Sequence, residues 1–222
     1  MENQVIRAHD FWAPVLLSIK VGLVSSILVF LLGIAAAWLM TRKRFFGKII
    51  VETVFLLPLV LPPTVIGFVL LISIGRRSGF GRIFERIFDH PLVFTWWAAV
   101  LASIVIAFPL VYMTIKSGFL GVDKDLQDVA RSIGAKEWQV LYWVTLPLAS
   151  RALVTAYILG FARALGEFGA TLMVAGNIPG RTQTIPTAIY IAVDADKMNL
   201  AWLWVGVTIL ISFLMLLLVN RK

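Results

Sequence analysis

The 222-residue sequence has no cysteine, only two histidines and few charged residues. Without cysteine the chain can form neither a disulfide framework nor a thiolate metal site, and it has no cysteine nucleophile. The histidines, His9 and His90, are far apart, and we interpret them as interfacial residues rather than metal ligands. Charged residues make up 14% of the chain and hydrophobic residues 60%, where soluble domains have roughly 25% and 45–50%. With a mean hydropathy of +0.92, this composition excludes a water-soluble globule and indicates a membrane protein.

The sequence also lacks the phosphate-binding pattern G-x-x-x-x-G-K-S/T. We therefore predict that the chain itself does not bind or hydrolyse ATP, and we expect it to hold no other cofactor and no metal. It offers no cluster of His, Asp and Glu of the kind that a membrane-embedded enzyme needs. The net charge of +8 could attract nucleic acid, but DNA-binding proteins concentrate Lys and Arg on a soluble face. We expect no nucleic-acid partner for so apolar a chain.

Long apolar runs are what the sequence does contain. A bilayer core about 30 Å thick requires roughly 20 apolar residues per helix, and five windows meet this length: residues 15–40, 49–74, 92–115, 152–174 and 200–219. We predict an all-α membrane protein in which one domain, residues 1–222, has five transmembrane helices. The first window is too long for a cleaved signal peptide, so we expect it to remain as a span.

Lys and Arg are distributed unequally between the two ends of these spans. Eleven lie in residues 42–48, 116–151 and 221–222, and seven lie in residues 1–14, 75–91 and 175–199. Because basic loops tend to stay in the cytoplasm, we predict a cytoplasmic C-terminus and an N-terminus outside. Four arginines in residues 75–91 oppose this count. However, the apolar residues there share one helical face, which favours a surface-lying helix over an anion-attracting role: Phe80, Ile83, Phe84, Ile87 and Phe88.

Residues 116–151 form the longest polar stretch, on the predicted cytoplasmic side. Asp123 or Asp125 can cap a short amphipathic helix in it. Gly134 permits that helix to end in a left-handed turn, and Pro147 suits the first turn of the next helix. The apolar residues recur at helical spacing and could face the membrane domain, lipid headgroups or a partner: Leu126, Val129, Ala130, Ile133 and Val140.

Two spans contain residues that are unusual at membrane depth. Pro58, Pro62 and Pro63, followed by Thr64, remove amide donors from the second span, so its helix should kink or break there. Irregular backbone in a membrane is tolerated where protein or a water-filled cavity satisfies its polar groups. This indicates a pathway lining, with a purely structural kink as the alternative.

In the fourth span, Arg163 and Glu167 lie four residues apart. This spacing predicts an ion pair on one helix face, because pairing lowers the cost of placing either charge in the membrane. Gly166 and Gly169 flank Glu167 and allow close approach of a second helix. The pair should therefore face protein or water rather than lipid.

The order Asp128-Val-Ala130, Gly134, Val144 and Leu146-Pro147 resembles the coupling loop of ABC importer permeases, with Asp128 for the usual Glu, Val129 for Ala and Val144 for Ile. From about residue 15 onwards the chain is similar to the molybdate branch of that family, most specifically in Gly-Glu-Phe-Gly-Ala-Thr at 166–171 and the loop 176–186. Sulfate and thiosulfate permeases are the close alternative.

The resemblance implies a type I permease subunit in a bacterial or archaeal inner membrane. It implies a homodimer that docks two cytoplasmic ATPase subunits, which would hold ATP and Mg, and an external oxyanion-binding protein. The implied coupling residues are Asp128, Ala130, Gly134, Val144, Leu146 and Pro147. An ion channel is the rival from another class, and it would show no ATP dependence.

A tetrahedral dianion crossing a membrane needs donors that replace part of its water without trapping it, and hydroxyls and broken-helix N-termini meet this need. The hydroxyl candidates are Thr64, Thr171, Thr182 and Thr184, each with ordinary packing as the alternative. With Pro58, Pro62, Pro63, Arg163, Glu167 and Gly169, they complete the predicted set of pathway or intramembrane structural residues.

Overall fold

The computed structural model describes the backbone of residues 8–42 and 45–220. Five residues used in the charge count lie outside this part: Arg7, Lys43, Arg44, Arg221 and Lys222. The described residues form helices and no strand. In chain order these are α1 (Ala8–Arg42), α2 (Lys48–Val60), α3 (Pro63–Ile74), α4 (Gly79–Phe88), α5 (Trp96–Leu120), α6 (Lys124–Ser132), α7 (Glu137–Val140), a π-helical turn (Leu141–Thr145), α8 (Leu146–Leu148), α9 (Ser150–Leu165), α10 (Gly169–Ala175), α11 (Ile185–Asp194) and α12 (Met198–Asn220).

Three of the helices are long and apolar enough to cross a bilayer without interruption: α1, α5 and α12. Two further spans are possible if bent pairs of helices are counted, since α2 meets α3 at 116° and the rod Glu137–Leu148 meets α9 at 80°. The described residues thus allow three to five spans. The predicted all-helical membrane fold is confirmed.

The second predicted window is broken at Leu61 and Pro62. Pro62 and Pro63 each restrict the residue before them to extended backbone, and Leu61 (φ −70°, ψ 140°) and Pro62 (φ −55°, ψ 136°) both adopt it. Pro58 behaves differently, because α2 continues through it to Val60. The predicted break therefore results from the proline pair.

The fourth predicted window is not one helix, and this part of the prediction is wrong. α9 ends at Leu165, and α10 begins only at Gly169. Phe168 has a non-helical backbone (φ −127°, ψ −61°), and Gly166 ends α9. Arg163 and Glu167 consequently lie on either side of a helix end rather than on one helix face.

The third predicted window, residues 92–115, also differs from the helix observed there, α5. α5 begins at Trp96, after Phe94 donates its backbone N–H to Val174 O at 2.9 Å. It then continues through Lys116 to Leu120, and the Lys116 Nζ lies 2.7 Å from Glu52 Oε1 on α2. A paired lysine can remain in an apolar helix where a free one could not.

The core is built around α5, which packs against α1 and α9. Val111 is fully buried between two glycines. A Cβ on Gly33 of α1 would lie 2.9 Å from Val111 Cγ1, and one on Gly160 of α9 would lie 2.7 Å from Val111 Cγ2. Small residues thus let three helices approach closely around one branched side chain.

The arginine-rich segment contains the predicted surface helix, α4. Ser78 caps it by accepting a hydrogen bond from the Gly81 N–H at 2.8 Å. Phe80, Ile83, Ile87 and Phe88 are exposed, and only Phe84 packs against the core. The exposed apolar face fits a helix at a membrane surface.

Candidate functional site

The two interruptions lie against each other, and we call residues 61–62 and 166–168 the facing breaks. A Cβ on Gly169 would stand 3.2 Å from Pro63 Cβ and 3.4 Å from Thr64 Cγ2. One turn further along α3, a Cβ on Gly67 would lie only 2.8 Å from Ala170 Cα. Glycine at these positions therefore lets the starts of α3 and α10 pack almost backbone to backbone.

Glu167 holds one of these breaks in place. Its side chain is 1% exposed, and its Oε2 accepts a hydrogen bond from Arg163 Nη1 at 3.0 Å. Its Oε1 accepts the Ala170 N–H at 2.9 Å, which satisfies one of the free amides at the start of α10. Arg163 retains 35% exposure. The predicted ion pair is present, and it also caps a helix.

The predicted pathway residues fall into two groups. The first surrounds the facing breaks: Pro58, Pro62, Pro63, Thr64, Arg163, Glu167, Gly169 and Thr171. Of the hydroxyls, Thr64 is exposed and Thr171 is buried.

The second group, Thr182 and Thr184, is buried in local structure before α11. Thr182 Oγ1 accepts the Ile178 N–H at 2.9 Å, and Thr184 Oγ1 lies 3.0 Å from Thr187 Oγ1. Both hydroxyls thus have a hydrogen-bond partner within the chain.

The predicted coupling residues also divide into two groups. Asp128 and Ala130 lie on α6, which ends before Gly134, a left-handed residue (φ +93°) as predicted. Asp123 caps α6 by accepting the Asp125 N–H at 2.9 Å.

Val144, Leu146 and Pro147 lie instead on the rod formed by α7, the π-helical turn and α8. Val140, which was expected to share a face with α6, is buried on that rod. The turn at Gly134 follows the end of α6 and separates Val140 from that helix. Pro147 precedes the bend into α9 rather than starting α9.

A network of charges joins α6 to the rod. Arg131 Nη1 lies 2.6 Å from Asp128 Oδ1, and Arg131 Nε lies 3.0 Å from Glu137 Oε1. Hydrogen bonding to Glu137, ahead of that to Asp128, raises the pKa of Arg131 above its ordinary value. Arg42 of α1 also reaches Glu137, with Nε 3.4 Å from Oε2.

Sequence reasoning missed three sets of contacts. They are the ion pair of Glu52 with Lys116, the ion pairs of Glu137 with Arg42 and Arg131, and the close approach of α3 to α10 at Gly67. A signal existed for the first, since Glu52 is the single charge in its apolar window and a lone acid there requires a cation. Glu137 gave no signal, because its partners come from separate helices. Among the described residues, no group of three or more His, Asp or Glu is placed to hold a metal.

The described chain thus combines two broken apolar segments that lie against each other with a charged, exposed helix, α6, and solved structures show the same fold. A chain of a bacterial ABC transporter that imports the acidic polysaccharide alginate matches with a TM-score of 0.77 and 13% identity, over 98% of this chain and 80% of that one. An amino acid ABC transporter matches with a TM-score of 0.64 and 18% identity, over 96% and 94%.

The family is established by sequence. Residues 29–221 match the binding-protein-dependent transport system inner membrane component family, and the chain belongs to it. It is 54% identical to the putative molybdenum transport system permease protein YvgM of Bacillus subtilis, over 98% of this chain and 96% of that protein. It is 44% identical to the molybdenum permease ModB of Escherichia coli K12, over 84% and 81%.

The sulfate permease CysW of Synechococcus elongatus is 35% identical, over 77% of this chain and 59% of that protein. The predicted family and the preference for its molybdate branch over the sulfate branch are confirmed.

Proposed function

We propose that this chain is the membrane-spanning permease subunit of an ATP-driven importer that moves molybdate, with tungstate as a chemical analogue, into the cytoplasm by alternating access. The observation that carries this proposal is the 54% identity to a putative molybdenum permease along nearly the full length of both chains. A sulfate or thiosulfate importer is the second candidate, supported by the shorter and weaker match to a sulfate permease.

The facing breaks are the proposed pathway element. Thr64 is the first residue of α3 with a backbone N–H, since Pro62 and Pro63 have none, and its side chain is exposed. Its amide and hydroxyl can donate to an oxyanion at a positive helix end. Arg163, paired with Glu167 but one-third exposed, adds positive charge without presenting a free cation that would trap a dianion.

The proposed energy source lies on other subunits. Leu126, Val129 and Ile133 on α6 and the turn after it are exposed, which suits docking into a groove of a cytoplasmic ATPase that holds ATP and Mg. The full assembly would comprise two copies of this chain, two ATPases and an extracytoplasmic oxyanion-binding protein. It would sit in the inner membrane with α6 and the C-terminus inside and the N-terminus outside.

The test is uptake of labelled molybdate into proteoliposomes that contain the purified importer with its co-purifying ATPase and binding protein. We expect ATP-dependent uptake that excess tungstate abolishes and excess sulfate leaves nearly unchanged. Equal competition by sulfate would assign the chain to the sulfate branch. Uptake without ATP would contradict an importer of this class.

A further inference from the structure

The helix α6 is not anchored by apolar packing. None of its nine residues is buried, and its larger apolar side chains, Leu126 and Val129, are exposed. Behind it lies a cavity of about 220 Å³, bounded by the ends of α1 and α5, by α6 and by the rod. A helix backed by open space takes little orientation from dispersion contacts. Its position relative to the membrane helices must therefore be set by something else.

Polar contacts meet that requirement, and they converge on Glu137. Both oxygens of the Glu137 carboxylate accept hydrogen bonds from Arg131 of α6. Arg131 Nε lies 3.0 Å from Oε1, and Arg131 Nη2 lies 3.4 Å from Oε2. The same Oε2 lies 3.4 Å from Arg42 Nε, in the last turn of α1. The three side chains are 31–39% exposed. One carboxylate thus joins α1 and α6 through Arg42 and Arg131, two residues that are 89 positions apart in the sequence.

Glu137 is also the first residue of the rod that bends into α9. Three parts of the molecule meet at its side chain: α6, the cytoplasmic end of α1 by the proposed topology, and the start of the path to α9. Because the bundle packs α1 and α9 around α5, this residue connects α6 to both sides of the bundle.

We infer that Glu137 is the positioning residue of the coupling helix, and that its double contact with Arg131 and Arg42 transmits motion of α6 to α1. This inference rests on the proposed function, in which α6 receives the movement of an ATPase. Glutamine is close in shape to glutamate but cannot replace it. One of its two acceptor oxygens becomes an NH₂ group, which would face guanidinium N–H donors with another donor.

The experiment uses the assembled importer with its ATPase and compares Glu137→Gln, Arg42→Gln and the double variant. The matched control is Glu85→Gln, because Glu85 also pairs with an arginine at 3.4 Å, from Arg76 Nη2, but on α4. The main measurement is molybdate transported per ATP hydrolysed. We expect about a tenfold drop in this ratio for both single variants, at a near-normal yield of complex. The double variant should lose no more than either single one, since the two residues act as a unit.

A second measurement needs no substrate. Hydrogen exchange of α6 amides in the assembled complex should be faster in Glu137→Gln and unchanged in Glu85→Gln, because α6 loses its tie to α1. A wild-type transport ratio together with wild-type α6 exchange would overturn the inference, as would fully additive losses in the double variant. If Glu137→Gln fails to assemble, Arg42→Gln decides, because it leaves the Arg131 contact intact. If the wild-type complex transports no molybdate while Glu137→Gln still speeds α6 exchange, the positioning role is supported and the proposed function is rejected.

Discussion

At the scale of single residues, Glu167 performs two tasks with one buried carboxylate. It neutralises Arg163 and caps α10 through the Ala170 N–H. Spacing in the sequence predicts the first task, because residues four apart are neighbours on a helix. The second task depends on the helix ending at Leu165, which the apolar pattern did not reveal. The same residue is therefore understood in part from sequence and in part only from backbone geometry.

Replacing Glu167 by alanine should destabilise the protein by roughly 1–3 kcal/mol, since it leaves a buried amide without its acceptor and a cation without its partner. Thermal unfolding in detergent, followed by size-exclusion chromatography, measures the effect. Glu167→Gln should lose less, because it can keep an acceptor for Ala170. Glu85→Ala, at a more exposed pair, should change stability by no more than about 0.5 kcal/mol. Normal stability with altered oxyanion selectivity would show instead that Glu167 acts in transport.

At the scale of elements, the proline break and the glycine break differ in how well sequence predicts them. Pro62-Pro63 forces extended backbone on the residues before each ring by steric clash alone. At residues 166–168 no such clash exists, and glycine is frequent inside continuous membrane helices. α9 ends at Leu165, just before Gly166; after the break, Gly169 packs closely against Pro63 and Thr64, and Glu167 caps α10. The break at residues 166–168 thus involves a long-range contact and a helix cap, and local hydrophobicity along the sequence predicts neither of them.

The helix α6 yields the prediction at this scale. Gly134 adopts φ +93° with open space around its Cα, so Gly134→Trp adds backbone strain and bulk beside α6 without a clash in the core. Gly180 is the matched control, because it has φ +71° and equally open space but lies in the loop before α11. We expect Gly134→Trp to lower both ATPase co-purification and molybdate uptake, and Gly180→Trp to leave co-purification unchanged. Normal assembly and uptake in Gly134→Trp would count against α6 as the docking element.

At the scale of the whole molecule, orientation in the bilayer is the prediction that remains to be tested. The absence of cysteine means that any introduced cysteine is a unique label. Lys136→Cys should react with a membrane-impermeant maleimide only after cells are permeabilised, whereas Arg82→Cys on α4 should react in intact cells. Both positions are exposed in this chain, so burial within the chain does not block either label. The opposite pattern would place α6 outside and remove the basis for docking a cytoplasmic ATPase.

The tight seating of Val111 constrains how such a molecule can change shape. The Val111 side chain on α5 packs against Gly33 of α1 and Gly160 of α9 at once. Sliding one of these three helices past another would press this side chain against the backbone of a neighbouring helix. We therefore expect these three helices to move as a single block, as in rigid-body domain movement. Bending is then expected at joints outside it, at Leu61–Pro62, at residues 166–168 and at Ala149, where the helices are already interrupted. Alternating exposure of the two membrane faces would thus come from bending at these joints around a rigid centre.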